Sequence, residues 1–437
     1  MESVFYLLSS ILFLQSLLAL IAVIRFARYS LSRSATHHRD QPSAVIIVPC
    51  KGLDPDFEET IGALCAQDYR DYEIIFVTES EADPAYATLN KLIKQSRCSA
   101  WLVVAGEAQH CSQKIHNLCA ALETLDAVNR RAEVIAFADS DARPTEKWLS
   151  ELVAPLADES VGATTGFRWY LPAEGSRRGL WSLLLSVWNS SALSLLGKRS
   201  AFAWGGAMAI RRENLEKLSI RQQWQGAVSD DYVLTKAITD AGQQIRFIPA
   251  CLVATPAETT LKQLFEFTTR QLTITRIYAP RVWGLTLFSH ALYNLTIWGS
   301  FVFLVIKGIS NHSMTLIALL AGILCLGAMT GAIRVVTAAR LLEENSSRII
   351  EGWWAHALFA PLVSLLYLCN LIASATSRRI VWRGTGYEMI SPVRTVIWQR
   401  EPLSDNPDHT HESSRQNRAK AHSTSSTQPG HHPGNSR

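Results

Sequence analysis

Several patterns that identify common nucleotide-binding and nucleic-acid-binding proteins are missing from this chain of 437 residues. It contains no GxGxxG segment and no glycine-rich P-loop, so a nucleotide would have to be bound by some other device. Only 18% of the residues are charged, the formal net charge is +4, and no basic run with interleaved aromatic residues is present. We therefore expect no nucleic acid among the partners of this protein.

Cysteine motifs are also missing. The eight cysteines are scattered, with no CxxC pair and no Cys/His spacing typical of a metal site. Cys111 and Cys119, the nearest pair in the polar part of the chain, are about two helical turns apart. We expect all eight thiols to be reduced, as in a domain that faces the cytoplasm.

Apolar sequence is abundant, since 48% of the residues are hydrophobic and they are concentrated in a few runs. Residues 3–24 carry no charge and are long enough to cross about 30 Å of hydrocarbon. Arg25, Arg28 and Arg33 follow, so the positive-inside tendency places the N-terminus outside and residue 25 onward in the cytoplasm. A cleaved signal peptide is the alternative, but the missing basic n-region and the long apolar core argue against it.

Three more charge-free stretches predict a C-terminal membrane region over residues 282–377. The first two predict a hairpin that returns the chain to the cytoplasm. If the third stretch crossed, the arginines after it would lie outside, against the charge rule, and its Pro361 and small polar residues fit a re-entrant segment. Two to three spans or a re-entrant segment therefore remain open. The stretches are 282–306, 308–333 and 352–377.

The end of the chain, residues 404–437, is polar and low in complexity. Such a segment cannot bury enough apolar surface to order itself, so we predict a disordered tail. Five of the twelve histidines lie there. A metal-binding tail is conceivable, but a solvated one is the simpler interpretation.

Between the membrane segments, residues 42–280 alternate apolar runs with helical patterns. This alternation predicts βαβ units and a mostly parallel sheet with helices on both faces. Ligands bind beyond the carboxyl ends of such strands, which is where Lys51, Glu79 and Asp139 fall. The apolar helix at 180–196 is either a core helix or one that lies against the bilayer. The predicted strands are 44–49, 73–78, 101–106, 133–139, 161–166, 201–212 and 244–249.

Two acidic pairs stand at the ends of predicted elements. Asp139-Ser140-Asp141 follows a buried strand and could hold a divalent hard cation between two phosphates, or could be a solvated turn that caps the next helix. Such a cation would stabilise a leaving nucleoside diphosphate. Asp230-Asp231 precedes a helical pattern and could supply a catalytic base, or could simply complement the helix dipole.

Two further motifs have both a functional and a plain structural interpretation. Gly205-Gly206 could let the backbone approach a sugar, or could form a tight strand corner. Lys114 and Asn117 lie on one helical face at i, i+3 spacing and could contact a ligand or simply be solvated.

The order of these motifs resembles the inverting, processive-type GT-A glycosyltransferases, and among them the ceramide glucosyltransferase family with its bacterial and hopanoid-associated relatives. The resemblance implies an α/β GT-A (nucleotide-diphospho-sugar transferase) domain with a mostly parallel sheet, plus N-terminal and C-terminal transmembrane helices. It spans residues 1–395. The most specific segments are PCKGLDP, QDYRDYEIIFV, KIHNL, SDDYVLTKAI and VWRGTGY.

The resemblance implies a role for each donor-site residue. Glu79 matches the acidic position that contacts the nucleoside, where the family usually has Asp. Lys114 and Asn117 match a pair near uridine diphosphate. Asp139 and Asp141 match the motif for the diphosphate and a divalent cation, Mg or Mn. Lys51 and the Gly205-Gly206 backbone are further candidates for substrate binding.

On the acceptor side, Asp231 matches the general base and Asp230 fills the position of the family's Glu. The family also carries [Q/R]-x-x-R-W beside the membrane, whereas this chain reads RQLTITRIY. Arg270 supplies the first position, but Thr and Ile stand where Arg and Trp belong. Gln271 or Arg276 could substitute by a shifted register. This departure leaves the identity of the acceptor open.

These expectations combine into a hypothesis for function. A hexose, glucose first among the candidates, would move with inversion from a UDP-sugar to the hydroxyl of a ceramide-like membrane lipid. The catalytic domain of this multi-pass protein would face the cytoplasm, with a bacterial inner membrane as the expected location. Transfer of N-acetylglucosamine or another hexose to a hopanoid or diacylglycerol is the alternative. A nonenzymatic protein with a degenerate nucleotide-sugar domain is a third.

Overall fold

The computed structural model describes residues 2–32, 41–96, 98–128, 132–172, 179–308 and 313–400. The predicted tail at 404–437 lies outside these residues. The ten β-strands of the described part are β1 Ala44–Pro49, β2 Tyr72–Thr78, β3 Ala100–Val104, β4 Val134–Ala138, β5 Val161–Pro172, β6 Ala207–Arg211, β7 Gln244–Ala257, β8 Arg379–Trp382, β9 Thr385–Ser391 and β10 Arg394–Arg400.

The described residues also form fifteen α-helices. They are α1 Glu2–Leu31, α2 Phe57–Cys65, α3 Pro84–Gln95, α4 Gln113–Ala127, α5 Trp148–Val153, α6 Gly179–Ser190, α7 Arg212–Lys217, α8 Ile220–Trp224, α9 Asp230–Asp240, α10 Leu261–Tyr278, α11 Pro280–Lys307, α12 Ser313–Leu341, α13 Ser346–Glu351, α14 Trp353–Leu358 and α15 Ala360–Thr376.

Seven strands form one sheet in the order β3-β2-β1-β4-β6-β5-β7. The pairs β1–β2, β2–β3, β1–β4 and β5–β7 are parallel, and β6 runs antiparallel to both neighbours. Every residue of β4 is buried, as expected for a strand covered on both faces. The predicted mostly parallel α/β sheet is therefore confirmed.

Three of the later predicted strands differ in length from the observed ones. The strand predicted over 201–212 is confined to β6, because the Gly205-Gly206 corner turns the chain before Ala207. Conversely, β5 and β7 continue well past the predicted 161–166 and 244–249 and pair with each other along most of their length. The long β5 carries Arg168 to the edge of the sheet where the predicted acids lie.

Three helices of the described residues are long and apolar enough to cross a membrane. They are α1, α11 and α12, of which α1 is counted from Ser3. The face of α1 that contains Leu20, Val23 and Phe26 packs on a cluster shared by β5, β7 and the last turns of α12. This packing ties the ends of two apolar helices to the sheet domain.

The third predicted C-terminal stretch, 352–377, forms α14 and α15, and both of its ends lie at the sheet domain. Before it, the Arg348 guanidinium donates to the carbonyl of Pro172 at the end of β5, 2.7 Å away. Ala360 then lies beside Gly327, about halfway along α12. The chain returns in α15, where Ser374 accepts a 2.9 Å hydrogen bond from the Trp283 indole near the start of α11. The segment thus begins and ends at the sheet domain.

A second, three-stranded antiparallel sheet follows, in the order β10-β9-β8. It docks on the sheet domain, since Tyr387 Oη accepts a 3.1 Å hydrogen bond from the Gln113 backbone N–H and Thr395 Oγ1 donates to the Gly226 carbonyl at 2.7 Å. Gly226 has no room for a Cβ because the Val393 backbone lies against it. The predicted domain boundary at 280 leaves out this sheet, which folds back over the domain.

Candidate active site

The candidate site lies where β1, β2 and β4 end. Glu79 and Asp139 directly follow β2 and β4, and Lys51 is the second residue after β1. Parallel pairing brings the three strand ends to one edge of the sheet. Helices α4 and α9 begin at the same edge, so Lys114, Asp230 and Asp231 in their first turns lie beside these strand ends. Two acidic motifs that are about ninety residues apart in sequence therefore form one cluster.

Lys114 connects the two acidic motifs. The Ser112 hydroxyl caps α4 by accepting from the Ile115 N–H, which places Lys114 in the first turn. Its Nζ lies 2.9 Å from Asp139 Oδ1 and 3.2 Å from Asp230 Oδ2, and it donates to the Gly205 carbonyl at 3.2 Å. Burial lowers the pKa of Lys114, but the two carboxylates raise it more, so the net pKa is above its ordinary range. Simple surface solvation is thus excluded for Lys114.

Arg168 on β5 is a site residue that sequence analysis missed. Its guanidinium donates to both carboxylate oxygens of Asp141, at 2.9 and 3.0 Å, and to Asp139 Oδ2 at 3.0 Å. The guanidinium also lies over the Trp204 ring, 4.5 Å from its centroid. A charged residue inside an otherwise buried strand is the one sequence signal that could have identified it, because such a charge needs a partner.

The Asp139–Asp141 pair has the chemistry for a cation that is shared with a diphosphate. Burial raises the pKa of Asp141, but Arg168 lowers it further, so the pKa is held below the ordinary range and the carboxylate is ionised. No group of three or more His, Cys, Asp or Glu side chains able to hold a metal occurs among the described residues. Two carboxylates suit Mg or Mn when phosphate oxygens complete the shell. At present, Lys114 and Arg168 neutralise both carboxylates.

Asp230 and Asp231 have different surroundings, although they are adjacent in the first turn of α9. The Asp230 side chain is only 5% exposed, and burial raises its pKa to about 6 despite the opposing effect of Lys114. Asp231 is more accessible. One of its oxygens accepts from the Ser229 hydroxyl and the Tyr232 N–H, and the other from the Gly205 N–H at 3.4 Å. Asp231 is therefore the carboxylate that an incoming hydroxyl could reach.

Gly205-Gly206 forms a tight corner next to these acids. A Cβ on Gly205 would lie 2.5 Å from Asp230 Oδ2 and 2.7 Å from Lys114 Nζ. A Cβ on Gly206 would overlap the Trp204 ring. Both glycines are thus required by close packing within the site, whatever contact they make with a sugar.

Glu79 is surrounded by cations at the β2 end of the site. Lys51 Nζ lies 2.9 Å from Glu79 Oε2, and Arg400 of β10 lies 3.3 Å from Oε1 and also donates to the Ala108 carbonyl. The sequence predicted Lys51 and Glu79 here but not Arg400. The position of Arg400 depends on the second sheet, which the sequence analysis did not predict.

Asn117 is placed beneath the site rather than in it. Its side-chain amide donates to the Val77 carbonyl at 3.3 Å and accepts from Gln113 at 2.9 Å, and the residue is 2% exposed. These contacts fix α4 against β2. The structure therefore gives Asn117 a positioning role relative to Lys114.

The segment RQLTITRIY lies on α10. Arg270 packs over the Phe267 ring and donates to the Val381 carbonyl at 3.3 Å, and burial lowers its pKa to about 10. Arg276 donates to the carbonyls of Ala375 and Ser377 at 2.6 and 2.9 Å, so it holds the end of α15 rather than the cluster of acids.

The neighbouring positions of this segment also have structural roles. The two departures from the expected motif, Thr273 and Ile274, are buried, and Ile274 packs beneath the second sheet with Tyr387. Gln271, the other candidate for a shifted register, is half-buried on the same helix.

The mostly parallel seven-stranded sheet with one antiparallel strand, the acids at the strand ends and the apolar helices fit the architecture predicted for a GT-A glycosyltransferase with transmembrane helices. The chain belongs to glycosyl transferase family 21, whose model matches residues 9–393.

Individual relatives are more distant. Ceramide glucosyltransferase 1 of Caenorhabditis elegans is 25% identical over 243 residues, which are 52% of this chain and 49% of that protein. The match thus spans about half of the relative's length.

Two solved structures are also similar. One is a mannosyltransferase from Pyrobaculum calidifontis in complex with GDP-Man and Mn²⁺, at 18% identity and a TM-score of 0.48, covering 86% of this chain and 97% of that one. The other is glucosyl-3-phosphoglycerate synthase from Mycobacterium tuberculosis, at 15% identity and a TM-score of 0.34, covering 56% and 87%.

Proposed function

We propose that this protein transfers a hexose, with glucose as the first candidate, from a UDP-sugar to the hydroxyl of a ceramide-like membrane lipid, with inversion. Family membership and the ceramide glucosyltransferase relative support the reaction class. The observation that carries the proposal is the position of Lys114, which pairs at once with Asp139 of the first acidic motif and Asp230 of the second. This pairing puts diphosphate chemistry and base chemistry side by side.

The donor diphosphate binds at the cationic side of this cluster. Lys114 and Arg168 carry fixed positive charge there, and a preorganised charge stabilises a leaving diphosphate without reorganisation during the reaction. Asp139 and Asp141 would hold a divalent cation, Mg or Mn, which supplies further neutralisation of the phosphates when bound. Glu79, at the end of β2, contacts the nucleoside, and Lys51 positions that carboxylate.

Asp231 is the proposed base for the acceptor hydroxyl. It has to take up the proton within hydrogen-bond distance as the oxygen attacks the anomeric carbon from the face opposite the leaving diphosphate. The Gly205 N–H and the Ser229 hydroxyl orient its two carboxylate oxygens. Asp230 keeps Lys114 in place and is too deeply buried to meet the acceptor.

The acceptor reaches the site from the membrane side. α10 leads directly into α11, and α15 returns along both, so the candidate site and the apolar helices share elements. Arg25 and Arg28 follow the apolar part of α1, which supports a cytoplasmic position for the catalytic domain and, in a bacterium, the inner membrane. Trp204 and the Gly205-Gly206 corner border the space for the sugar.

The experiment is an assay of the full-length protein in membranes with UDP-glucose, UDP-N-acetylglucosamine and UDP-galactose. Ceramide, diacylglycerol and a hopanoid serve as acceptors, and mass spectrometry identifies the product. We expect the wild type to form a hexosylated ceramide and Asp231→Asn to form none. Product only on another lipid would support the alternative acceptor. Product only with an acetamido sugar would support the alternative donor. UDP binding without any product would overturn the proposed reaction.

A further inference from the structure

Two residues that the proposed mechanism leaves unused, Asp54 and Arg383, contact each other. Asp54 belongs to PCKGLDP after β1, and Arg383 belongs to VWRGTGY between β8 and β9. Arg383 Nη2 lies 2.7 Å from Asp54 Oδ1 and 3.0 Å from Oδ2, and Nη1 donates to the Lys51 carbonyl. A turn more than three hundred residues downstream thus reaches the strand end that carries Lys51.

The backbone at this turn is unusual for an arginine. Arg383 and Gly384 form the two-residue connection of a hairpin, with φ of 48° and 75°. Two positive φ values in such a turn favour Asn-Gly or Gly-Gly, because most side chains are disfavoured there. Strained non-glycine positions of this kind concentrate at ligand-binding and switch sites. Asn would be the better residue for the turn alone, so the turn geometry does not account for an arginine at this position.

The rest of the second sheet holds this turn in position. Tyr387 and Thr395 are hydrogen-bonded to the sheet domain, and Thr385, directly after the turn, lies 3.4 Å from Lys51 Nζ. Asp54 in turn accepts a 2.7 Å hydrogen bond from the Ser140 hydroxyl, between the two aspartates of the diphosphate motif. The Asp54 carboxylate therefore connects the Arg383 guanidinium to the diphosphate motif.

Exposure distinguishes Arg383 from the other cations of the site. Its side chain is 37% exposed, against 12% for Lys114 and 9% for Arg168, which are enclosed by their carboxylate partners. A guanidinium that is accessible in this way can exchange its carboxylate partner for an incoming anion. A guanidinium binds phosphate oxygens in the same two-pronged geometry that it uses for a carboxylate.

We propose that Arg383 binds the diphosphate of the nucleotide-sugar donor, and that Asp54 holds its guanidinium ready beside the aspartate motif until the donor arrives. This inference rests on the proposed function, since it presumes a nucleoside diphosphate donor. Arg383 would then be a donor-binding residue supplied by the second sheet, and the turn would close over the diphosphate that Lys114 and Arg168 bind from below.

The test measures binding of UDP and of uridine, which lacks phosphate, to the full-length protein in detergent. Arg383→Gln should weaken UDP binding by about 10- to 100-fold, the range for one charged hydrogen-bonding group, and leave uridine binding unchanged. Arg379→Gln is the matched control, because Arg379 lies on the same sheet and pairs with Glu388 instead. It should leave both ligands within about threefold of the wild type.

Asp54→Asn separates ligand binding from a merely structural ion pair. If Asp54 only holds Arg383 ready, this variant frees the guanidinium, and UDP binding should stay within about threefold or become tighter. Equal weakening by Asp54→Asn and Arg383→Gln, with no further loss in the double variant, would overturn the inference, as would unchanged UDP binding in Arg383→Gln. Binding of UDP that depends on Arg383 in a protein that makes no glycolipid would instead disprove only the proposed reaction.

Discussion

Arg168 donates hydrogen bonds from both terminal nitrogens of its guanidinium to the two carboxylate oxygens of Asp141, at 2.9 and 3.0 Å. With its third bond to Asp139, the arginine occupies the oxygens that a divalent cation would use. Two cations cannot share these oxygens without repulsion, so Arg168 and a metal compete for the aspartates.

Arg168→Gln should therefore tighten binding of Mn²⁺ in the absence of nucleotide, by roughly 10-fold if one charge-assisted pair is removed. Titration of Mn²⁺ followed by electron paramagnetic resonance measures this directly. Asp141→Asn should have the opposite effect and lose the cation. If Arg168→Gln bound Mn²⁺ less well than the wild type, the arginine would not be a competitor for the aspartates.

Asp231→Asn tests the proposed base. An amide cannot accept the hydroxyl proton, so the transfer rate should fall by a factor of about 10² to 10⁴, the usual contribution of a general base. UDP affinity should stay close to that of the wild type, because the contacts of Asp231 are to Gly205, Ser229 and Tyr232 rather than to the cations. A variant that transfers sugar at the wild-type rate would require another base.

Asp230 should make stability depend on pH. Its pKa in the folded protein is about 6, above the ordinary 3.8, mainly because of burial. The native state therefore holds more protons than the unfolded state between about pH 4 and pH 6, and the free energy of unfolding falls as pH rises through that window. Asp230→Asn removes this dependence. Its melting temperature minus that of the wild type should thus be more positive at pH 7 than at pH 4.5.

A difference that is constant with pH would show that Asp230 does not titrate in this window. Asp240→Asn is the control on the same helix, because the Asp240 side chain is 63% exposed and its ion pair with Lys236 lies in solvent. Its melting temperature should follow that of the wild type at both pH values.

The sheet and most of the acidic residues could be predicted from the sequence because their signals are local. Strands such as β1 and β4 are continuous apolar runs, and Asp139 follows one of them directly. The meeting of Asp139 with Asp230 follows from parallel strand ends and helix N-termini sharing one edge, which is a general property of the fold.

The partners of these acids could not be predicted, because they depend on long-range packing. Arg168 reaches Asp141 only because β5 continues past the predicted strand end, and Arg383 reaches Asp54 only because the second sheet folds back. That sheet is buried on one face alone, and its short strands after a membrane segment gave a weak pattern. The sequence of α10 likewise did not show that Arg276 would bind the end of α15.

Gly205→Ala tests how closely the two acidic motifs are packed. The added methyl group would meet Asp230 Oδ2 at 2.5 Å and Lys114 Nζ at 2.7 Å, so the ion pair has to open. We expect a lower melting temperature, a loss of about 1–3 kcal/mol typical of overpacking, and weaker UDP binding. Gly62→Ala is the control, since a Cβ there meets nothing within 4 Å and alanine favours the helix. Equal stability of Gly205→Ala and wild type would contradict the tight corner.

Residues 353–376 begin and end at the sheet domain, and a re-entrant path of this kind predicts the side from which single introduced cysteines react. The native cysteines that are exposed or half-buried are first replaced by serine, namely Cys65, Cys98, Cys119, Cys325 and Cys369. Cysteines at the exposed positions Glu343 and Arg394 should then be labelled by a membrane-impermeant maleimide only from the side of the catalytic domain. A cysteine at Lys307, at the far end of α11, should react from the opposite side. If α15 instead crossed the membrane, Glu343 and Arg394 would be labelled from opposite sides, and Arg383 could not reach Asp54.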